Sequence, residues 1–187
     1  MTIIDDIEPL AVKWRERKIP ILRIASARWL RDLVEQKRPK RILEIGTAVG
    51  YSGTILASPV GQGETTSASL VTIDSDENAL KTAEETFVQF GIDAQIISED
   101  ATETLRDITT LGLIPGDFDF IFIDHAKAKY LEALEYCIKL SKSGTIIVAD
   151  NTSNSKCKSF VDAIKKDPRL ETTMIDVGDG MSMSVVK

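Results

Sequence analysis

The chain has 187 residues, enough for one domain with a full core, and its 43% hydrophobic and 28% charged content fits a globular protein in water. Its longest apolar runs, such as Ile146-Ile147-Val148-Ala149, are strand-length and exclude a membrane-spanning segment. The net charge of −6 is uneven: residues 13–41 carry eleven basic against three acidic side chains, +8, which leaves −14 elsewhere. Such a segment either attracts a polyanion such as RNA or is a solvated helix face. The acidic start, Met1 to Asp6, lacks the layout of a secretory leader, and a cytoplasmic location is expected. Cys137 and Cys157 sit in no CxxC pair, so neither a disulfide framework nor a structural zinc site is indicated.

In chain order, Ile7, Leu10, Ala11 and Trp14 recur at helical spacing, as do Ile21, Leu22, Ala25, Trp29, Leu30, Leu33 and Val34. Pro20 is expected to open the second helix and Pro39 to close it. Short apolar strands then alternate with amphipathic helices. The strands are Arg41–Ile45, Leu70–Ile73, Ala94–Ser98, Phe118–Ile123 and Thr145–Ala149; the helices span roughly 51–58, 76–90, 101–111, 127–140 and 155–167. The stretch Gly61 to Ser69 reads as a surface loop. Leu170–Ile175 and Met181–Val186 have no helix between them and read as a closing hairpin. This is one α/β domain over 1–187: two N-terminal helices in 1–38, then a Rossmann-like, doubly wound core over 39–187. Its sheet is parallel except for an antiparallel strand from the terminal hairpin. That layout is the one found in class I methyltransferases.

Open α/β sheets bind ligands at the carboxyl ends of their strands. The first strand leads into Glu44-Ile-Gly46-Thr47-Ala-Val-Gly50-Tyr-Ser52. Its glycines let the turn approach a ligand, and the helix behind them offers free N–H groups to a carboxylate. The spacing is E-x-G-x-x-x-G, not the G-x-G-x-x-G of pyrophosphate-binding turns, and suits the amino-acid end of S-adenosylmethionine. Ser52 would then bond the methionyl carboxylate and Glu44 the methionyl ammonium. Alternatively, the turn packs tightly and binds nothing. Asp74, ending the second strand, is placed to accept both ribose hydroxyls, and Asp100-Ala101, after the third, to meet the adenine edge.

The fourth strand ends in Asp124-His125-Ala126-Lys127 and the fifth in Asp150-Asn151. If these strands are neighbours, Asp124, Asp150 and Asn151 converge as hard oxygen ligands suited to Mg²⁺. Asp150-Asn151 could equally cap a helix or shape a turn.

These motifs, with Phe122 to Tyr130 and Gly178-Asp179-Gly180, resemble the metal-dependent O-methyltransferase family that includes catechol and caffeoyl-CoA O-methyltransferases. The likeness runs from about Arg41 to the C-terminus. It implies Asp124, Asp150 and Asn151 as metal ligands, Asp124 also serving donor and chemistry, with Asp74 as the ribose acid. It implies Lys127 as the base that takes the substrate hydroxyl proton, and it sets His125 beside the adenine, although as the only histidine it could be structural. Placement of Lys127 in the first turn of its helix would disfavour the cation and support the base role. The alternative is an exposed lysine without chemical duty.

The sequence departs from catechol enzymes at Ser182, where they carry a glutamate that orients substrate hydroxyls, and the segment after Asn151 is short. The expected acceptor is therefore a small hydroxylated molecule of the phenol or diol type. The runner-up is a hydroxylated tRNA base, because the Ile19-Pro20-Ile21 and Arg38 to Glu44 stretches also resemble bacterial tRNA hydroxyuridine methyltransferases. A cofactor-binding domain without catalysis is the reading from another class; intact Asp124, Lys127, Asp150 and Asn151 argue against it. A nicotinamide-dependent oxidoreductase is more remote. The resemblance also raises a homodimer, for which Trp14 and Trp29 could supply contacts if they do not pack on the sheet.

Overall fold

In the computed structural model, which describes residues 2–58, 68–106 and 113–187, helices and strands alternate in the expected order. Most of the stretch Gly61 to Ser69 and the end of the helix expected over 101–111 lie outside the described residues. Helix α1 (Ile3–Glu16) starts on a capping box in which Thr2 and Asp5 satisfy each other's backbone N–H groups. It buries Ile4, Ile7, Ala11 and Trp14, one helical face. Trp14 packs edge-on against Tyr51, and Trp29 lies partly buried against the same core, so both tryptophans serve internal packing.

Helix α2 spans Ile24–Lys37 and does not open at Pro20. Lys18, with φ 60°, ends α1 in the left-handed region, where its N–H bonds Arg15 O at 2.9 Å and that of Ile19 bonds Trp14 O at 2.9 Å. Pro20 then keeps Ile19 extended, and the chain runs without helix to Arg23, burying Leu22 on the way.

Among the described residues, seven strands form one sheet in the order β3-β2-β1-β4-β5-β7-β6. They are β1 (Arg41–Ile45), β2 (Ser69–Asp74), β3 (Ala94–Ser98), β4 (Phe118–Ile123), β5 (Ser141–Ala149), β6 (Leu170–Ile175) and β7 (Met181–Val186). The first five pair in parallel, and β7 runs antiparallel between β5 and β6, as the terminal hairpin predicts. Strand β5 starts four residues before the expected Thr145, because Ser141 pairs with Phe118 across a register shift and Gly144 takes φ +89° between. Helices α3 (Tyr51–Ala57), α4 (Glu77–Phe90), α5 (Ala101–Arg106), α6 (Tyr130–Leu140) and α7 (Lys158–Lys166) complete the alternation. Three-residue 3-10 turns at Lys127–Lys129 and Ser155–Cys157 occupy the ground expected to be the first turns of α6 and α7. No helix among the described residues is long and apolar enough to cross a membrane.

Successive residues of the central strands face opposite ways. Ile42, Phe120, Phe122, Ile146 and Val148 meet α1 to α4 on one face of the sheet. Leu43, Ile45, Ile121, Ile123 and Ile147 meet α5 to α7 on the other. Both faces are therefore covered, which is why β4 reads as an almost unbroken apolar run.

One strand residue breaks the apolar rule. Glu44 is fully buried between β1, β2 and α3, where Ser52 and Thr72 each donate a hydroxyl to it at 2.6 Å and Thr47 adjoins Thr72 at 2.5 Å. Gly53 makes the room: a Cβ there would stand 2.8 Å from Glu44 Oε2 and 2.9 Å from the Phe87 ring. Burial pushes the Glu44 carboxyl up from 4.5 to about 8, against the opposing pull of the two hydroxyls. Its folded form holds a proton that the unfolded chain releases, so its stabilising share is full below about 4.5 and lost as pH rises through about 8. Glu44→Gln keeps the side chain neutral, and its melting temperature relative to the native chain is expected to climb by several degrees between about pH 5 and pH 8.5. Melts followed by circular dichroism check this; a gap that ignores pH would show Glu44 ionised throughout.

Candidate active site

Past their strand ends, the backbones stay in register. Gly46 N bonds Ile73 O at 2.9 Å, Asp124 N bonds Ile45 O at 2.8 Å, and Asp150 N bonds Ile123 O at 3.1 Å. The first residues after β1, β4 and β5 therefore stand side by side where the strand order reverses, and a cavity of about 930 Å³ opens above them. Its floor is the tips of β1, β2, β4 and β5, and its roof is the chain from Arg15 to Ala25. Gly46, Thr47, Ser52, Asp74, Asp100, Ala101, Asp124, His125, Lys127, Asp150 and Asn151, all of them candidates from the sequence, line it. Glu44 and Gly50 do not. Glu44 lies beneath the turn in its hydroxyl cluster, while Gly50, at φ +82°, lets the turn pack on Ala83 and Phe87 of α4. Gly46 also has a packing reason: at φ +107° a Cβ there would lie 2.6 Å from the Asp124 carbonyl carbon.

On one side, Asp74 accepts Ala48 N at 2.9 Å through Oδ2 and Asp76 N at 3.0 Å through Oδ1, which fixes the carboxylate and leaves further lone pairs. Ser52 commits its proton to Glu44 while that carboxyl is ionised. With Glu44 neutral, the carboxyl carries a proton of its own and can release the Ser52 hydroxyl to a ligand. Asp100 is fully engaged: Oδ1 caps α5 through Thr102 N and Glu103 N, and Oδ2 meets Lys129 Nζ at 2.7 Å. The lysine and the cap hold it below the ordinary carboxylate range. The His125 ring stacks on Tyr130, with centroids 5.2 Å apart and planes at 12°. Its two nitrogens are buried without a hydrogen-bond partner among the described residues, and burial with Lys127 and Lys129 nearby pushes it down to about 4, so it is neutral at physiological pH.

On the other side, Asp124 accepts Lys127 Nζ at 2.7 Å and Tyr130 OH at 3.4 Å on Oδ1. Lys127 lies in the 3-10 turn before α6, so the helix-end argument for its chemistry loses its premise. Asp150 is 3% exposed, and its Oδ1 is buried with no hydrogen-bond partner among the described residues. Desolvation, then Asp124, raises it to about 7. Burial raises Asp124 as well. Asn151 turns the chain at φ 56°, and Thr152 N→Gly180 O and Ser153 N→Asp179 O tie this turn to the β6–β7 loop. No three of His, Cys, Asp and Glu gather as a metal-holding group among the described residues; the set here is two carboxylates and an amide.

Five charged wall residues are not among the candidates from the sequence: Arg15, Lys18, Arg23, Lys129 and Asp179. Asp179 lies inside Gly178-Asp179-Gly180, and Arg15, Lys18 and Arg23 lie in the basic segment 13–41, whereas Lys129 carries no signal; Asp179 pairs with Arg23 Nε at 2.6 Å. Ser182, by contrast, is buried on β7 opposite Ala149, away from the cavity wall.

The O-methyltransferase family model matches residues 8–187. A flavonoid 3′,5′-methyltransferase from Vitis vinifera is 27% identical over 175 residues, covering 81% of this chain and 72% of that protein. A catechol O-methyltransferase from Niastella koreensis is 32% identical over 128 residues, covering 67% of this chain and 55% of that protein. The crystal structure of an O-methyltransferase from Bacillus cereus in complex with SAH superposes with a TM-score of 0.77 at 28% identity, over 97% of this chain and 90% of that one. The cavity at the strand reversal, the motif turn beside it and a match spanning nearly the whole chain place this protein in the O-methyltransferase family, as an S-adenosylmethionine-dependent enzyme that transfers a methyl group to oxygen.

Proposed function

We propose that the acceptor is a small phenol or vicinal diol, that its hydroxyl sits at the tips of β4 and β5, and that a divalent cation, best fitted by Mg²⁺, belongs there on Asp124, Asp150 and Asn151. The observation that carries this reading is Asp150 Oδ1, a buried carboxylate oxygen without a hydrogen-bond partner among the described residues, beside a second raised carboxyl. Two desolvated acids at one spot repel each other and call for a cation, and an all-oxygen set of this kind suits Mg²⁺. When bound, such an ion supplies Lewis acidity that eases loss of the acceptor's hydroxyl proton.

The residues of the chain do the positioning. Asp74, held by two backbone N–H groups, is set to accept the ribose hydroxyls of the donor, and the turn at Gly46 to Ser52 borders its amino-acid end. Lys127, 2.7 Å from Asp124, is placed to receive the hydroxyl proton. The acceptor oxygen then forms its bond to the methyl carbon as the carbon–sulfur bond breaks, leaving S-adenosylhomocysteine. The neutral, stacked His125 walls this path without adding charge.

Asp150→Asn is expected to lower metal-stimulated transfer at least about 100-fold while donor affinity stays within about twofold. A second readout needs no turnover. The raised Asp150 stabilises the fold in full only below about 3.8 and has lost that share once pH passes about 7. At pH 8 without divalent ions the variant should therefore melt about 2–4 °C above the native chain. Mg²⁺ should then raise the native chain alone; equal response of both to Mg²⁺ would remove Asp150 from the ion site.

Lys127→Met is expected to cut kcat about 100-fold with the KM of the donor little changed, measured by transfer of labelled methyl groups. An unaltered kcat would return Lys127 to a purely structural ion pair.

A second acceptor is favoured by one observation: Arg15, Lys18 and Arg23, from the basic N-terminal segment, line the cavity. A hydroxylated tRNA base would use such cations on flanking phosphates. Transfer to hydroxylated tRNA that falls steeply between about 50 and 200 mM salt would establish that acceptor, whereas salt-insensitive turnover of catechol would establish the small one.

A further inference from the structure

The cavity carries five cations, and four of them are matched by an acid at close range. Arg15 meets Glu8 at 2.6 Å, Arg23 meets Asp179 at 2.6 Å, Lys127 meets Asp124 at 2.7 Å and Lys129 meets Asp100 at 2.7 Å. Lys18 is the fifth, and among the described residues no acidic side chain pairs with it. Its backbone is also one of four non-glycine positions with positive φ among the described residues, with Arg38, Ala48 and Asn151. At φ 60° it occupies the left-handed position that closes α1, where glycine is the residue of least strain and a side chain costs stability. A lysine at that position, exposed on the wall of the cavity and without an acidic partner among the described residues, is open to an anionic ligand.

We infer that Lys18 is the anion-recognising residue of the cavity and takes a carboxylate carried by a bound small molecule. This rests on the reading of the cavity as the site of donor and acceptor. Two sources can supply the group: the amino-acid carboxylate of the donor, or a carboxylate on the acceptor itself. Pro20, two residues on, stiffens the segment that carries the lysine, and Trp14, whose carbonyl oxygen holds Ile19 N, is buried, so the backbone at Lys18 is held in place beside the cavity.

Two variants separate fold from function. Lys18→Gln removes the charge and keeps a side chain; Lys18→Gly removes the charge and relieves the backbone, and is expected to melt about 2 °C higher than the native chain. Binding is measured by calorimetry on the full chain with four probes: S-adenosylhomocysteine, 5′-methylthioadenosine, 3,4-dihydroxybenzoate and catechol. If the donor supplies the carboxylate, both variants bind S-adenosylhomocysteine about tenfold more weakly and 5′-methylthioadenosine as before. If the acceptor supplies it, the tenfold loss falls on 3,4-dihydroxybenzoate and spares catechol. The inference is overturned if anionic and neutral probes weaken alike, or if no probe changes by more than about twofold. Failure of both diols to bind or be methylated would count against the phenolic acceptor, while the S-adenosylhomocysteine arm would still decide the role of Lys18.

Discussion

Gly46 has no space for a side chain, because a Cβ would collide with the carbonyl group of Asp124. That contact joins the turn after β1 to the turn after β4 at the point where the sheet reverses its order. The chemical groups of the cavity take their places from this junction. On the β1 side it sets the turn that brings Ala48 N to Asp74. On the β4 side it sets Asp124, and the Ile123 carbonyl, which receives Asp150 N at 3.1 Å, holds Asp150 at the next strand tip. Two acids held abreast by backbone bonds cannot swing apart to relieve their repulsion. Their raised carboxyls follow from that rigidity and from burial.

The charges of the cavity form a nearly closed set. Asp100, Asp124 and Asp179 each have a cation, and Asp74 has two backbone N–H groups. What is left over among the described residues is an acid oxygen of Asp150 at the strand tips and the lysine Lys18 on the cavity wall. A cavity that neutralises most of its own charge is selective through the groups it leaves unmatched, since these alone gain a new partner when a ligand enters. The exposed pairs, such as Arg23 with Asp179, add little stability of their own, but they hold the roof segment against the β6–β7 loop and so limit where a ligand can lie.

The sheet and its order of elements are legible in the sequence because both signals are local: strand-length apolar runs alternate with helical periodicity, and a terminal pair of runs lacks a helix between them. The start of α2 is not, because Pro20 suits a first helical turn as well as an extended linker; what decides is Lys18, whose left-handed backbone has no mark in the sequence. The strand-end acids are legible from position alone. Their partners are not: that Lys129 engages Asp100 depends on how two loops meet in space. Ser182 shows the opposite failure. Aligned by motif with a substrate-orienting position, it lies inside the sheet, because β7 pairs with both β5 and β6 and places that residue opposite Ala149 and Met174.

Position in the motif points Glu44 at the ligand, since it precedes the turn that lines the cavity, yet strand alternation directs its side chain into the packing between sheet and α3. Its influence on the cavity is therefore indirect. Ser52 and Thr47 both lie on the wall, and both hydroxyls belong to the network that Glu44 closes with Thr72. The protonation of one buried carboxyl thus sets which way these hydroxyls point their hydrogens. Because burial raises that carboxyl to about 8, its single proton can be donated to one of the two hydroxyls that face it, Ser52 or Thr72, and a residue set back from the cavity thereby shapes the hydrogen bonding of the turn that lines it.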